Sequence, residues 1–158
     1  MPTHKPTPTS LRALNRDLAN RPGRLLLLVG EDREVLAHAV AAAWGTQIDS
    51  AAERYVALGT SVVDPRQLIN DAGVVADLDV LFWEPTYHLE IQTFLRGVAR
   101  SRPVAFVWPG EIDGTTARYS EPGRRDFYEA ELEDAIVLRA RHGTFGDEPV
   151  YTMETVGA

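Results

Sequence analysis

Four runs of apolar residues without alternation divide the chain. They lie at 25–29, 80–83, 104–108 and 135–138 and read LLLLV, VLFW, VAFVW and AIVL. A strand with one wet face alternates between apolar and polar residues, whereas a strand covered on both faces does not. The four runs therefore predict buried strands of a parallel sheet.

Segments with helical spacing of apolar residues lie between these runs, at 33–44, 64–75 and 87–100. The apolar stripe of the first segment consists of Leu36, Val40 and Ala43. Short strands are also predicted at 47–49 and 150–153. Strands that alternate with helices predict an α/β three-layer domain, with a mainly parallel sheet and helices on both faces. We expect a flexible tail at 1–9 and a single domain at 10–158.

Composition excludes several kinds of chemistry. The 158 residues include no cysteine, so there is no disulfide framework, no thiolate nucleophile and no sulfur-ligated zinc. The four histidines lack the spacing of metal ligands, and we expect no metal site. No apolar run approaches the roughly 18 residues that span a bilayer, and the N-terminus lacks the apolar region of a signal peptide. These features predict a cytoplasmic protein without a membrane partner.

Charge narrows the candidate partners. The formal net charge is -7, which argues against general affinity for nucleic acid, because such binding depends on clustered Lys and Arg. Lys5 is the only lysine, so every other fixed positive charge is an arginine. A phosphate loop that depends on lysine is therefore excluded, and direct DNA binding is not expected.

Gly30 marks the change from the first predicted strand to the first predicted helix. In a P-loop domain this position begins a glycine-rich loop whose N–H groups hold phosphate, followed by a lysine and a Ser or Thr for magnesium. Here the residues that follow are Glu31, Asp32, Arg33 and Glu34. The sequence predicts a degenerate phosphate loop, so any cofactor site would consist of Gly30, Glu31, Asp32 and Arg33.

Two interpretations of this turn stay open. In one, the turn is structural, and its acidic residues complement the helix dipole by about 0.3–1 kcal/mol each. In the other, Arg33 replaces the lysine and ATP binds with magnesium, with Glu84 after the 80–83 strand in the position of a Walker B acid. Acidic residues repel phosphate, and Glu84 also fits a solvated strand end. We therefore expect no cofactor and no catalysis by the chain alone.

The segment at 109–127 has no clear periodicity and contains three glycines and two prolines. It is predicted to be a long loop, and long loops in compact domains are usually functional or disordered. Binding residues concentrate on loops that a rigid scaffold presents. The candidate interaction residues are Trp108, Pro109, Gly110, Glu111, Asp113, Gly114, Tyr119, Glu121, Pro122, Gly123, Arg124 and Arg125.

Two motifs of this region resemble a known family. Residues 107–114 read VWPGEIDG, and residues 117–123 read ARYSEPG, followed by Phe127 and Tyr128. The pair resembles the BrxF family, small P-loop-containing proteins of type 3 bacteriophage exclusion (BREX) systems. The resemblance covers about residues 24–138. Members of that family carry an intact glycine, lysine and threonine loop after the first strand, and this chain departs from them there.

The resemblance implies a cytoplasmic accessory component of a phage-defence operon. Its partners would be a large AAA-type ATPase, a PglZ-like protein, a DNA methyltransferase and a helicase. We expect the protein to act mainly through protein-protein contacts. The alternative is a small nucleotide-binding ATPase subunit of the same system. A third hypothesis, a DNA-contacting subunit that uses its arginines, predicts binding that falls steeply with salt.

Overall fold

The computed structural model describes residues 7–8, 13–14, 16, 20, 24–58, 73–82, 91–100, 103–120, 127–142 and 149–156. Residues 13–14, 16 and 20 are α-helical. The helices with described bounds are α1 (Arg33–Trp44), α2 (Ala51–Leu58) and α3 (Ile91–Ala99), together with a 3-10 helix at Leu78–Phe82. The strands are β1 (Thr7–Pro8), β2 (Leu25–Leu28), β3 (Ile48–Ser50), β4 (Val74–Ala76), β5 (Ala105–Val107), β6 (Glu111–Asp113), β7 (Thr116–Ser120), β8 (Phe127–Glu131), β9 (Ala135–His142) and β10 (Pro149–Val156).

Seven of these strands form the main sheet, in the order β1-β10-β9-β2-β5-β4-β3. The five strands from β9 to β3 pair in parallel, whereas β10 runs antiparallel to β9 and β1 antiparallel to β10. The central strand is β2, whose Leu27 lies opposite both Phe106 of β5 and Val137 of β9. The prediction of an α/β fold with a mainly parallel sheet is confirmed.

The core has two halves, one on each face of the main sheet. On one face α1 covers Leu26 and Leu28 of β2 together with alternate residues of its neighbours. On the other face α2 and α3 cover Leu25 and Leu27, joined by Trp108. Every side chain of β2 is buried, as the unbroken apolar run predicts.

The first predicted helix matches α1. It begins at Arg33 and ends at Trp44, and Gly45 after it adopts the left-handed conformation of a C-terminal cap. Its buried residues are Leu36, Ala37, Val40 and Ala41. Ala43, which the prediction placed on the apolar stripe, is exposed. The residues of α1 that meet the sheet are instead the two pairs 36–37 and 40–41.

The predicted strand at 80–83 is wrong for the part that the structure describes, because Leu78–Phe82 is a 3-10 helix. The strand at this place in the chain is β4, at the end of the helix predicted for 64–75. Val74 pairs with Ala105 of β5 and with Ile48 of β3, so two parallel neighbours stabilise a run too short to stand out in the sequence. Residues 64–72 of that predicted helix lie outside the described ranges.

The predicted loop at 109–127 is also wrong for its described part. Along the chain between β5 and β9, the strands β6, β7 and β8 form a separate antiparallel three-stranded sheet, here called the meander. Ala117 and Tyr119 are buried in the core, while the alternate residues Arg118 and Ser120 are exposed. The alternation is real, but it covers only the five residues of β7.

Thr7 and Pro8, in the segment expected to be a flexible tail, pair with Met153 and Thr152 of β10. The strand predicted at 150–153 corresponds to β10, which lies between β1 and β9. In the ranges that the structure describes, no helix has the length and apolar character needed to cross a membrane.

Candidate functional site

The turn between β2 and α1 is the site that the sequence singles out. It consists of Val29 to Asp32, and Gly30 has a positive φ of 103°, a conformation that favours glycine. The backbone N–H of Arg33 donates to the Gly30 carbonyl over 3.3 Å. The Arg33 guanidinium donates to the same oxygen over 3.1 Å. One side chain and one backbone group therefore close the turn.

This geometry differs from that of a phosphate loop. A P-loop has four residues between its two glycines before the lysine. In this chain α1 begins three residues after Gly30, and the only nearby cation, among the residues described around the turn, contacts a carbonyl. Glu31 and Glu34 are both exposed beside it. The turn is thus shorter than a P-loop and differs from it in composition.

A second polar cluster lies at the ends of β3 and β4. The Ser50 hydroxyl accepts a hydrogen bond from the Glu53 backbone N–H over 3.1 Å and so caps α2. The same hydroxyl donates to Asp77 Oδ2 over 2.5 Å. Asp77 directly follows β4 and has a positive φ of 56°. Ser50 thereby fixes a carboxylate at the carboxyl edge of the main sheet.

The strand order places this carboxylate at the same edge of the sheet as the first turn of α1. After β2 the chain enters α1 on one face, and after β5 it enters the meander on the other. Since β2 and β5 are neighbours, the segments that follow them leave the carboxyl edge of the sheet towards opposite faces. A crevice at such a point is where open α/β sheets bind ligands.

A cavity of about 540 Å³ occupies this position, here called the edge cavity. It opens between α1, the segment after β4 and the start of the meander. Its lining residues are Arg33, Glu34, Ala37, His38, Ile48, Ala76, Asp77, Asp79, Val107, Pro109, Tyr119 and Ser120. A neighbouring cavity of about 450 Å³ shares Arg33, Pro109, Tyr119 and Ser120 with it and continues over Gly110, Glu111, Arg118 and Tyr128.

The rim of the two cavities is the turn after β5, which carries the WPG motif. Trp108 is buried, with 1% of its surface exposed, and its indole N–H donates to the Arg118 carbonyl over 3.1 Å. A Cβ on Gly110 would lie 1.9 Å from the same carbonyl oxygen. The motif therefore fixes β5 against β7. Of the predicted interaction residues, Trp108 belongs to the core.

Polar side chains stabilise the outer face of the meander. Arg118 donates to Glu129 over 3.0 Å and to Asp113 over 3.1 Å, and the bond with Glu129 is the main cause that raises the pKa of Arg118. Thr115 and Thr116 both donate to the Glu131 carboxylate and lower its pKa. These contacts order an exposed surface that composition alone would describe as an acidic loop.

The inner side of the meander is attached to α3. Gln92 donates through its amide nitrogen to the Glu131 carbonyl over 2.8 Å. The Tyr128 ring lies 6.0 Å from the Trp108 ring, measured between centroids, at a tilt of 56°. Burial raises the pKa of Tyr128, and a hydrogen bond with Gln92 partly opposes that rise. The wall of the second cavity is therefore packed against α3 and against Trp108.

The structure separates the predicted site residues. Arg33, Pro109 and Tyr119 line both cavities, whereas Gly30 is joined to them only through its hydrogen bonds with Arg33. Glu111, Asp113 and Gly114 are exposed on the meander. Glu84, Glu121, Pro122, Gly123, Arg124 and Arg125 lie outside the described residues.

Sequence reasoning missed Ser50, Asp77 and Asp79. A signal for Ser50 was present, since Ser50 and Glu53 have the spacing of a capping box. A signal for the first hairpin of the meander was present too, in the sequence Asp113-Gly114. Nothing local indicated Asp77 and Asp79, because the run before them was assigned to a helix.

Across the part of the chain that the structure describes, no three His, Asp or Glu side chains are arranged to hold a metal ion. Comparison with known proteins gave no match to a family model, to a curated protein or to a solved structure. The features of the molecule that bear on its function are the edge cavity, the Gly30 turn and the motifs of the meander.

Proposed function

We propose that the protein is an accessory component of a BREX-type anti-phage defence system. In this proposal a P-loop-like α/β domain has lost its phosphate site and acts through contacts with other proteins of the system. The VWPGEIDG and ARYSEPG motifs support the link to that system, through the resemblance given above. The closed turn at Gly30 supports a binding role rather than a catalytic one.

The observation that carries the proposal is the pair of hydrogen bonds from Arg33 to the Gly30 carbonyl. A nucleotide-binding turn has to direct N–H groups and a cation towards phosphate. Here the cation is used to close the turn, and Glu34 and Asp79 line the cavity beside it. The retained feature is a crevice at the carboxyl edge of a rigid sheet, which suits contact with a protein.

Co-purification from cells that express the whole operon tests this proposal. A tagged wild-type chain is expected to retain at least one other operon protein. Glu111→Arg places the opposite charge on the exposed rim and should reduce that retention, whereas Glu133→Arg, just before β9, should not. Failure of the wild-type chain to retain any operon protein would contradict the proposal.

One observation favours the second candidate, a small nucleotide-binding ATPase subunit. The edge cavity lies at the point where α/β sheets bind ligands, and Asp77 at the end of β4 takes the place that the sequence assigned to Glu84. Calorimetry with ATP and magnesium tests it. Heat of binding that disappears in Asp77→Asn would support the ATPase candidate, and an absence of binding heat would end it.

A further inference from the structure

The edge cavity combines an acidic wall with an apolar floor, and this combination indicates the kind of group that it accepts. We propose that the cavity receives an arginine side chain from a partner protein. The inference rests on the proposed function and deepens it, because it names the chemistry by which the partner is recognised. The partner is identified only by that side chain.

Three carboxylates enter the lining from two sides. Asp77 and Asp79 follow β4, and Glu34 lies in the first turn of α1. The cation with a permanent charge in the same lining is Arg33, whose guanidinium donates to the Gly30 carbonyl. Glu34 and Asp77 are exposed and Asp79 is half-buried, so negative charge predominates in a concave, solvent-accessible site that attracts a cation.

The floor of the cavity is apolar. Ala37, Ala76 and Val107 belong to the core half on the α1 face and are buried or half-buried. Pro109 and Tyr119 complete the wall on the meander side. A long cationic side chain needs both parts of this surface, because its methylene stem packs on apolar atoms while its charged end meets carboxylates.

Arginine fits the site better than lysine does. Its planar guanidinium can meet carboxylates from two directions, which the compact ammonium of lysine cannot do with the same geometry. The cavity volume of about 540 Å³ exceeds that of one side chain, so the flanking backbone of the partner can enter as well. Phosphate-bearing ligands are disfavoured by the same three carboxylates.

A small probe tests the cavity without any partner. We would titrate N-acetyl-arginine N-methylamide into isotopically labelled protein and follow backbone amide signals by NMR. N-acetyl-citrulline N-methylamide, a neutral compound of nearly the same shape, is the matched control. Signals of Tyr119 and Asp79 should shift with the arginine probe and stay in place with the citrulline probe. Equal shifts with both probes, or none with either, would overturn the inference.

Variants then locate the binding. Glu34→Gln and Asp79→Asn each remove one cavity carboxylate and should weaken arginine-probe binding about tenfold. Glu133→Gln makes the same charge change at the opposite edge of the sheet and should leave binding unchanged. Thermal unfolding of each variant separates lost binding from lost folding. An equal effect of all three variants would reduce the result to general charge attraction and would overturn the proposal.

The same variants separate this inference from the proposed function. If operon proteins co-purify with wild type and with Glu133→Gln but are lost with Asp79→Asn, the result supports both the arginine site and the proposed function. If they co-purify with every variant and the probe does not bind, the arginine site is wrong while the function stands. If the probe binds as expected and no operon protein co-purifies, the site stands and the proposed function fails.

Discussion

Among the glycines that the structure describes, Gly110 has the least space for a side chain. It lies in the turn after β5, where the backbone passes directly against β7. A Cβ at this position would lie 1.9 Å from the Arg118 carbonyl oxygen and 2.9 Å from the Tyr119 Cα. Both are backbone atoms that cannot move aside as a flexible side chain could. The requirement for glycine in the WPG motif is therefore steric.

Replacing Gly110 by alanine should lower the free energy of unfolding by roughly 2–4 kcal/mol, because β5 and β7 would have to separate. Gly97→Ala is the matched control. Gly97 is exposed in α3 with no atom within 4 Å of a built Cβ, and the change should stabilise the protein by about 0.5–1 kcal/mol. Chemical denaturation measures both values. A neutral effect of Gly110→Ala would contradict the close packing of the turn.

Tyr128 makes stability depend on pH. Burial raises its pKa above the ordinary value of 10.0, so the folded protein holds the phenol proton more firmly than the unfolded chain does. This contribution is present below pH 10 and is lost as the pH rises through the raised value. Unfolding free energy measured against pH should fall more steeply in wild type than in Tyr128→Phe. Parallel curves would show that the phenol is not buried.

At the scale of elements, Ser50 joins three pieces of secondary structure. Ser50 is the last residue of β3 and directly precedes α2. Its hydroxyl contacts Asp77, the residue that follows β4. A single oxygen thus accepts from a helix N–H and donates to a carboxylate. Because Asp77 lines the edge cavity, the cap of α2 also sets the shape of the candidate site.

Ser50→Ala should lower the free energy of unfolding by about 1–2 kcal/mol, the usual cost of losing an N-terminal cap. Ser50→Thr keeps the hydroxyl and should recover most of that loss. Urea denaturation of the two variants compares them directly. Stability equal to wild type in Ser50→Ala would mean that water replaces both hydrogen bonds without cost.

The meander is the element whose prediction differed most from the structure. The sequence predicted a loop because glycine and proline interrupt it and because its strands are short. Antiparallel pairing across β6, β7 and β8 supplies hydrogen bonds that no local pattern shows. Tertiary contacts then bury Ala117 and Tyr119 against the core, which gives the short β7 strand its inner face.

At the scale of the whole molecule, negative charge is the dominant surface property. The formal net charge is -7, and the exposed face of the meander presents Glu111, Asp113 and Glu129 around Arg118. The edge cavity adds three more carboxylates. A partner with clustered arginine side chains is therefore favoured over one with clustered phosphates.

This charge distribution predicts that the isolated protein does not bind duplex DNA. Binding of this kind arises when clustered Lys and Arg release counterions from phosphate. Fluorescence anisotropy with a labelled duplex at low ionic strength should show no change on addition of protein. Anisotropy that rises and then falls steeply with added salt would instead favour the hypothesis of a DNA-contacting subunit.

The sequence by itself determined the α/β class of the fold and the absence of a lysine-dependent phosphate loop. Unbroken apolar runs locate β2, β5 and β9, because a strand buried on both faces needs apolar residues at every position. The acids after Gly30 and the single lysine exclude an ordinary phosphate loop. Both conclusions depend only on neighbouring residues or on composition.

Only the tertiary structure decided which carboxylates line the edge cavity. β4 is three residues long, and it is a strand because β3 and β5 pair with it on either side. That pairing places Asp77 and Asp79 at the carboxyl edge beside α1 and forms the edge cavity. Strand order results from contacts between residues far apart in the chain, so no local pattern in the sequence could reveal it.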